Sequence, residues 1–89
     1  MSLKPRKLLL LPDAEEELRR IDDPLYSEIS GRLQLPRQFP MLGSPMSPPF
    51  QNWRSIPVGV FRIIYRILPR GIEVAYIRHC KRELPGAPE

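Results

Sequence analysis

FRIIYR (residues 61–66) runs through a Pro69-Arg70-Gly71 turn into IEVAYIRHCKRE (residues 72–83), and the reading of this pair of segments decides the fold. Successive side chains of a strand point to opposite faces. Phe61, Ile63, Tyr65 and Ile67 therefore share one face, and Arg62 and Arg66 share the other. The second segment ends in Arg78, His79, Lys81 and Arg82. A hairpin patterned this way buries its apolar side and offers cations on the reverse. Such a surface suits the phosphate backbone of a nucleic acid.

Further strands and helices lie upstream. Residues 52–56 read as a strand, Pro57-Val58-Gly59 as a turn, residues 60–68 as a strand and residues 72–80 as the last strand. Residues 6–11 (RKLLLL) form the first strand, which Pro12 stops. Asp13 is placed to N-cap a helix, with Glu16 completing a capping box and Ala14, Leu18 and Ile21 forming its apolar stripe. Asp23 caps a second helix, with Pro24 in its first position and Leu25, Ile29 and Leu33 as its stripe; Pro36 ends it. So tight a junction makes a helical hairpin.

Residues 37–50 hold Pro40, Pro45, Pro48 and Pro49 around Gly43 and show no periodic signal. They read as a functional loop or a proline-stiffened spacer. Residues 83–89 read as a frayed tail. The order β-α-α-β-β-β implies an α+β fold in one domain spanning residues 1–89. Its helical hairpin packs on one face of a small, mainly antiparallel sheet.

A chain of 89 residues supports one modest core, and 42% hydrophobic with 27% charged residues suits a soluble globular domain. Cys80 is the only cysteine, so no internal disulfide can form and a reducing cytoplasm is expected. The leucine run at residues 8–11 is too short for a signal peptide or a membrane span. Charge is polarised along the chain. Between residues 51 and 82, Arg54, Arg62, Arg66, Arg70, Arg78, Lys81 and Arg82 face the single acid Glu73. Residues 13–23 carry six acids against Arg19 and Arg20. Such asymmetry favours a polyanionic partner.

Most catalytic chemistries are excluded by composition. The adjacent His79 and Cys80 cannot complete a metal site, so no metal and no cofactor are expected. No phosphate-binding glycine loop occurs, and a Ser-His-Asp set has no second arrangement to draw on with one histidine. Asp22 and Asp23 read as turn and cap residues. Trp53 and Tyr76 can stack on bases but more commonly belong to a core. Metal-free cleavage of a phosphodiester needs cations to stabilise the charged intermediate and groups that move two protons. Arginine's planar fork bonds two phosphate oxygens at once. Histidine exchanges protons near neutral pH, and RNA supplies its own 2′-hydroxyl nucleophile. These considerations point to the basic constellation of residues 51–82 and to His79 within it.

The chain resembles the RelE/ParE superfamily of type II toxin–antitoxin toxins over nearly its whole length. The likeness lies in the element order, Leu42-Gly43 before the proline-rich loop, RSIPVG (residues 54–59), FRIIYR and HCKRE (residues 79–83). RelE-like toxins cut messenger RNA in the ribosomal A site; ParE-like toxins poison DNA gyrase; an antitoxin wraps either kind in a hetero-oligomer. By this resemblance Arg62 and Arg82 stabilise the scissile phosphate, with Lys81 beside them. Arg54 stands nearest the place where RelE-like enzymes carry lysines, and Arg78 joins the RNA-binding set. The C-terminal tyrosine of RelE-like enzymes is absent, which leaves proton transfer to His79. RSIPVG is more similar to the ParE-like branch. The expectation is a cytoplasmic, metal-independent messenger RNA endoribonuclease that causes growth arrest, with gyrase inhibition without nuclease activity as the alternative.

Overall fold

The computed structural model describes residues 6–88. Its sheet has five strands in the order β1-β5-β4-β3-β2: β1 (Lys7–Leu10), β2 (Ser44–Pro45), β3 (Arg54–Val58), β4 (Phe61–Leu68) and β5 (Gly71–His79). β1 lies parallel to β5, and the other neighbours are antiparallel. Helices α1 (Pro12–Arg19) and α2 (Leu25–Arg32) cover one face, and a short α3 (Leu35–Gln38) follows. The expected α+β architecture is present, with β2 as an added strand inside the proline-rich connection.

Prolines account for most differences from the expected boundaries. Pro12 opens α1 rather than merely stopping β1. Its missing N–H costs nothing in a first turn, where N–H groups have no helical partner. Leu11 takes the cap position without a side-chain bond, so Asp13 lies inside the helix and no capping box forms. Asp23 does act near the start of α2, accepting bonds from the backbone N and hydroxyl of Ser27 at 3.0 and 2.6 Å, while Pro24 sits before the helix and not in it. α2 ends at Arg32, and the buried Pro36 belongs to the first turn of α3.

Pro57 lies within β3, not in a turn. Val58 pairs with Phe61 around a two-residue Gly59-Val60 turn, and Pro57 pairs with Arg62. The alternation of an antiparallel ladder makes that second pair a non-hydrogen-bonded one, so the missing N–H of Pro57 faces away from β4. Gly59 has φ of 59°, the left-handed conformation such a hairpin requires at its first central residue.

The sheet has a packed layer on each face. On the helix side, Ile63, Tyr65, Ile72, Val74 and Ile77 pack with Ala14, Ile29 and Leu33. The opposite face was read as a row of cations. It instead carries a second cluster of Phe50, Trp53, Ile64, Ala75 and Tyr76, joined by Met46, Leu84 and Ala87. Between Ile64 and Tyr65 the β4–β5 register shifts, so that Ile64 pairs with Tyr76 and Tyr65 with Val74. Ala75 is the extra residue. This bulge lets Ala75 and Tyr76 both belong to the far cluster while Val74 and Ile77 stay with the helices. The segment expected to fray lies against this far face, where Leu84 and Ala87 pack and Tyr76 Oη donates to the Gly86 carbonyl at 3.0 Å; Glu89 falls outside the described residues.

Candidate nucleic-acid interface

Three local features bring part of the basic set to one corner. The Gly59-Val60 turn ends the β3–β4 hairpin, and Cys80 N donates to the Val60 carbonyl at 2.7 Å. Arg82 N then donates to the His79 carbonyl at 3.0 Å, which folds residues 79–82 into a turn beside that hairpin end. From β4, Arg62 reaches across and its Nη2 donates to the Arg82 carbonyl at 2.8 Å. Arg62 is therefore tied to the backbone of the turn that carries Arg82.

The same corner shows an unmet bonding need. Arg62 Nε is buried and has no hydrogen-bond partner among the described residues. A buried charged donor without an acceptor is costly, and a ligand's acceptor relieves that cost only once the cover over Nε shifts. Lys81 and Arg82 are exposed. His79 stacks edge-on against Phe61, with ring centroids 5.6 Å apart, and its Nδ1 accepts from Lys81 N at 3.1 Å. A neutral ring bonded that way carries its proton on Nε2, which makes Nε2–H a donor for an anion.

Other cations of the sequence reading are occupied by the fold. Arg54 Nη1 donates to the Gly43 carbonyl at 2.5 Å and anchors the proline-rich segment. Arg66 bonds Glu73 at 2.6 Å and lies over the Trp53 ring. Arg78 Nε bonds Glu17 at 2.6 Å, and both side chains are only 17% exposed. That burial separates this pair from the Arg19–Glu15 pair, whose side chains are 67% and 58% exposed and which contributes little. Arg78 Nη1 also donates to the Glu83 carbonyl at 3.1 Å, and its guanidinium lies over the Tyr76 ring. Trp53 and Tyr76, which could have stacked on bases, are 3% and 5% exposed and belong to the far cluster.

Glu17 was missed as a site residue. β1 pairs with β5 no farther than Val74, and beyond that point Glu17 accepts from Ile77 N at 3.1 Å as well as from Arg78. Its position carried a signal: Glu17 lies three residues after Ala14 and four before Ile21, on the apolar stripe of α1. The acids around it form exposed pairs with Arg19 and Arg20.

A hollow of about 230 Å³ lies elsewhere, against Leu11, Asp13, Tyr76 and Pro88. At the basic corner, Cys80, Lys81, Arg82 and Glu83 are exposed.

Residues 8–84 match the family described as ParE toxin of type II toxin-antitoxin system, parDE, and the chain belongs to it. It is thus a type II toxin of the RelE/ParE superfamily. No curated protein matches the sequence. Among solved structures, the chain is similar to the toxin–antitoxin complex RelBE2 of Mycobacterium tuberculosis, with TM-score 0.75 and 17% identity over 88% of this chain and 94% of that one. The E. coli RelBE toxin–antitoxin complex gives TM-score 0.74 and 14% identity, covering 86% and 99%. The chromosomal ParDE system of P. aeruginosa gives 0.68 and 15%, covering 83% and 95%. At these identities the likeness is one of fold, and it spans both branches.

Proposed function

We propose that this toxin arrests growth by cutting messenger RNA on the ribosome, with Arg62, His79, Lys81 and Arg82 as its phosphate site. The supporting observation is the buried, partnerless Nε of an arginine that already touches the turn carrying Arg82. The 2′-hydroxyl attacks the adjacent phosphorus, the bond to the 5′-oxygen breaks, and a 2′,3′-cyclic phosphate forms. With Nδ1 released from Lys81 N–H, His79 takes the 2′-hydroxyl proton there and gives its Nε2 proton to the departing 5′-oxygen, so the two transfers balance. Arg62 and Arg82 hold the non-bridging oxygens as charge builds on them. His79 offers Nε2–H to the same oxygens. It carries a proton across only when Lys81 N–H releases Nδ1. Arg54 and Arg78, held by internal acceptors, contribute field more than contact.

A cognate antitoxin is the expected partner, in a cytoplasmic toxin–antitoxin hetero-oligomer. Its segment should pair acids with apolar side chains. No acid lies between Glu28 and Glu73, and Leu35, Phe39, Met41 and Leu42 are exposed within that stretch.

Gyrase inhibition is the second reading. It is favoured by the ParE description of the family and by the internal engagement of Arg54, Arg66 and Arg78. One paired experiment separates the two: a translation reaction read by primer extension on the message, beside a gyrase supercoiling assay. Cut messages, lost in both Arg62→Ala and Arg82→Ala while the variants stay folded, support cleavage. Intact messages with inhibited supercoiling support the second reading.

A further inference from the structure

Resting on the phosphate site just described, we infer that Glu17, Arg78 and Tyr76 are positioning residues for the turn that carries Lys81 and Arg82, and that Arg78 does not itself contact RNA. The chain of contacts is continuous. Glu17 on α1 fixes Arg78 through Nε at 2.6 Å and fixes the strand beneath it through Ile77 N at 3.1 Å. Arg78 Nη1 then holds the Glu83 carbonyl at 3.1 Å, one residue past Arg82. Tyr76 lies under the Arg78 guanidinium and ties the following segment through Gly86. Leu84 and Ala87 complete that strap against the far cluster. The turn is thereby held from both sides, by Arg62 at the Arg82 carbonyl and by Arg78 at the Glu83 carbonyl. Without the second hold, nothing else among the described bonds fixes the chain between Arg82 and Gly86. An arginine committed to a carboxylate, a carbonyl and a ring face, and largely covered, has little left to offer a phosphate.

The two roles for Arg78 predict opposite signs at Glu17. Were Arg78 a phosphate contact, Glu17 would be an anion close to a polyanion site, and removing it would strengthen action on the ribosome. A positioning role predicts that Glu17→Ala weakens inhibition of translation about tenfold, and that Glu17→Gln, which keeps an acceptor for Arg78, restores most of it. Tyr76→Phe provides a neutral control. It keeps the ring under Arg78, changes no charge and removes only the tie to Gly86. It should weaken inhibition about threefold.

The test measures half-inhibitory concentration in the translation reaction for the full chain and these variants. Backbone hydrogen exchange of residues 79–88 is recorded on the same samples. Faster exchange confined to those residues in Glu17→Ala and Tyr76→Phe, with weaker inhibition in both, supports the inference. Unchanged exchange, or stronger inhibition by Glu17→Ala and Glu17→Gln alike, overturns it. If Glu17→Ala fails to fold, Tyr76→Phe decides alone. Should Arg62→Ala and Arg82→Ala keep full potency, the phosphate site itself is wrong, and the exchange data still report whether the strap holds the turn.

Discussion

The two faces of the sheet are closed by different means. The helix side is covered by regular elements whose apolar residues repeat at helical spacing, Ala14 and Leu18 on α1, with Ile21 just past its end, and Leu25 and Ile29 on α2. The far side is covered by irregular chain: Phe50 and Met46 from the proline-rich segment, and Leu84 and Ala87 from the end of the protein. The difference teaches that an alternating strand does not by itself reveal an open face. Between Arg62 and Arg66, Ile64 is fully buried, and it drew a cover from segments with no period of their own. Cations on that face were then recruited as internal clamps, except at the corner where the cover ends.

The sharpest way to break this comparison is to empty one site on each face. Ile63→Ala on the helix side should cost about 2–5 kcal/mol, and Trp53→Ala on the far side about 3–5 kcal/mol, in the stability read from denaturant midpoints. Comparable losses mean two true cores. A loss well under about 1 kcal/mol at Trp53 would reduce the far cluster to a loose covering. Trp53→Ala also removes the ring beneath Arg66, so its loss includes that cation–π contact.

Much of the helix side was legible in advance because its signals are local. The stripes of α1 and α2, the first strand and the turn between β4 and β5 depend on residues a few positions apart. The far side was not, because its contacts join residues 46–53 with 64, 75–76 and 84–87 and leave no spacing to read. The bulge at Ala75 is equally silent, since it changes which face a side chain meets without changing composition. At the candidate site, Arg62, His79, Lys81 and Arg82 were named from the chain together with its family resemblance, and the structure ties Arg62 to the turn that carries Lys81 and Arg82. What could not be read was which cations were free. Arg78 finds its carboxylate 61 residues away, and Arg54 is consumed by carbonyls that any residue type would have carried.

A smaller effect is expected where the proline-rich segment meets the helix-side core. Gly43 approaches Tyr65 so closely that an added Cβ would fall 2.7 Å from Cε1 and 2.8 Å from Oη, with Ile56 Cγ1 at 3.1 Å. Gly43→Ala should therefore cost about 1–3 kcal/mol through overpacking. Tyr65 Oη accepts from Gly43 N at 2.9 Å and donates to the Pro40 carbonyl at 2.5 Å. Tyr65→Phe strands both backbone groups and should cost about 1–3 kcal/mol while leaving the packing of the ring intact. If Gly43→Ala is neutral, the segment is free to move away and β2 is not held as the structure shows.

The smallest expected effect distinguishes the same segment by pH. Burial raises the pKa of Tyr65 above its usual 10.0, although the Gly43 N–H bond and the charge of Arg54 both pull it down. Burial raises that of Tyr76 as well, helped by Asp13 and opposed by Arg78. In both cases the folded protein keeps the phenol proton at a pH where the unfolded chain releases it. The stabilisation is therefore complete below about pH 10 and is lost as pH rises toward and through the folded values. Denaturant midpoints of the wild type should fall over that alkaline window. Tyr65→Phe, already less stable at neutral pH, should fall less steeply because one of the two phenols no longer titrates. Parallel alkaline slopes for the two proteins would mean that the Tyr65 hydroxyl meets solvent, and that the bridge from β4 through Pro40 and Gly43 does not close the helix-side core.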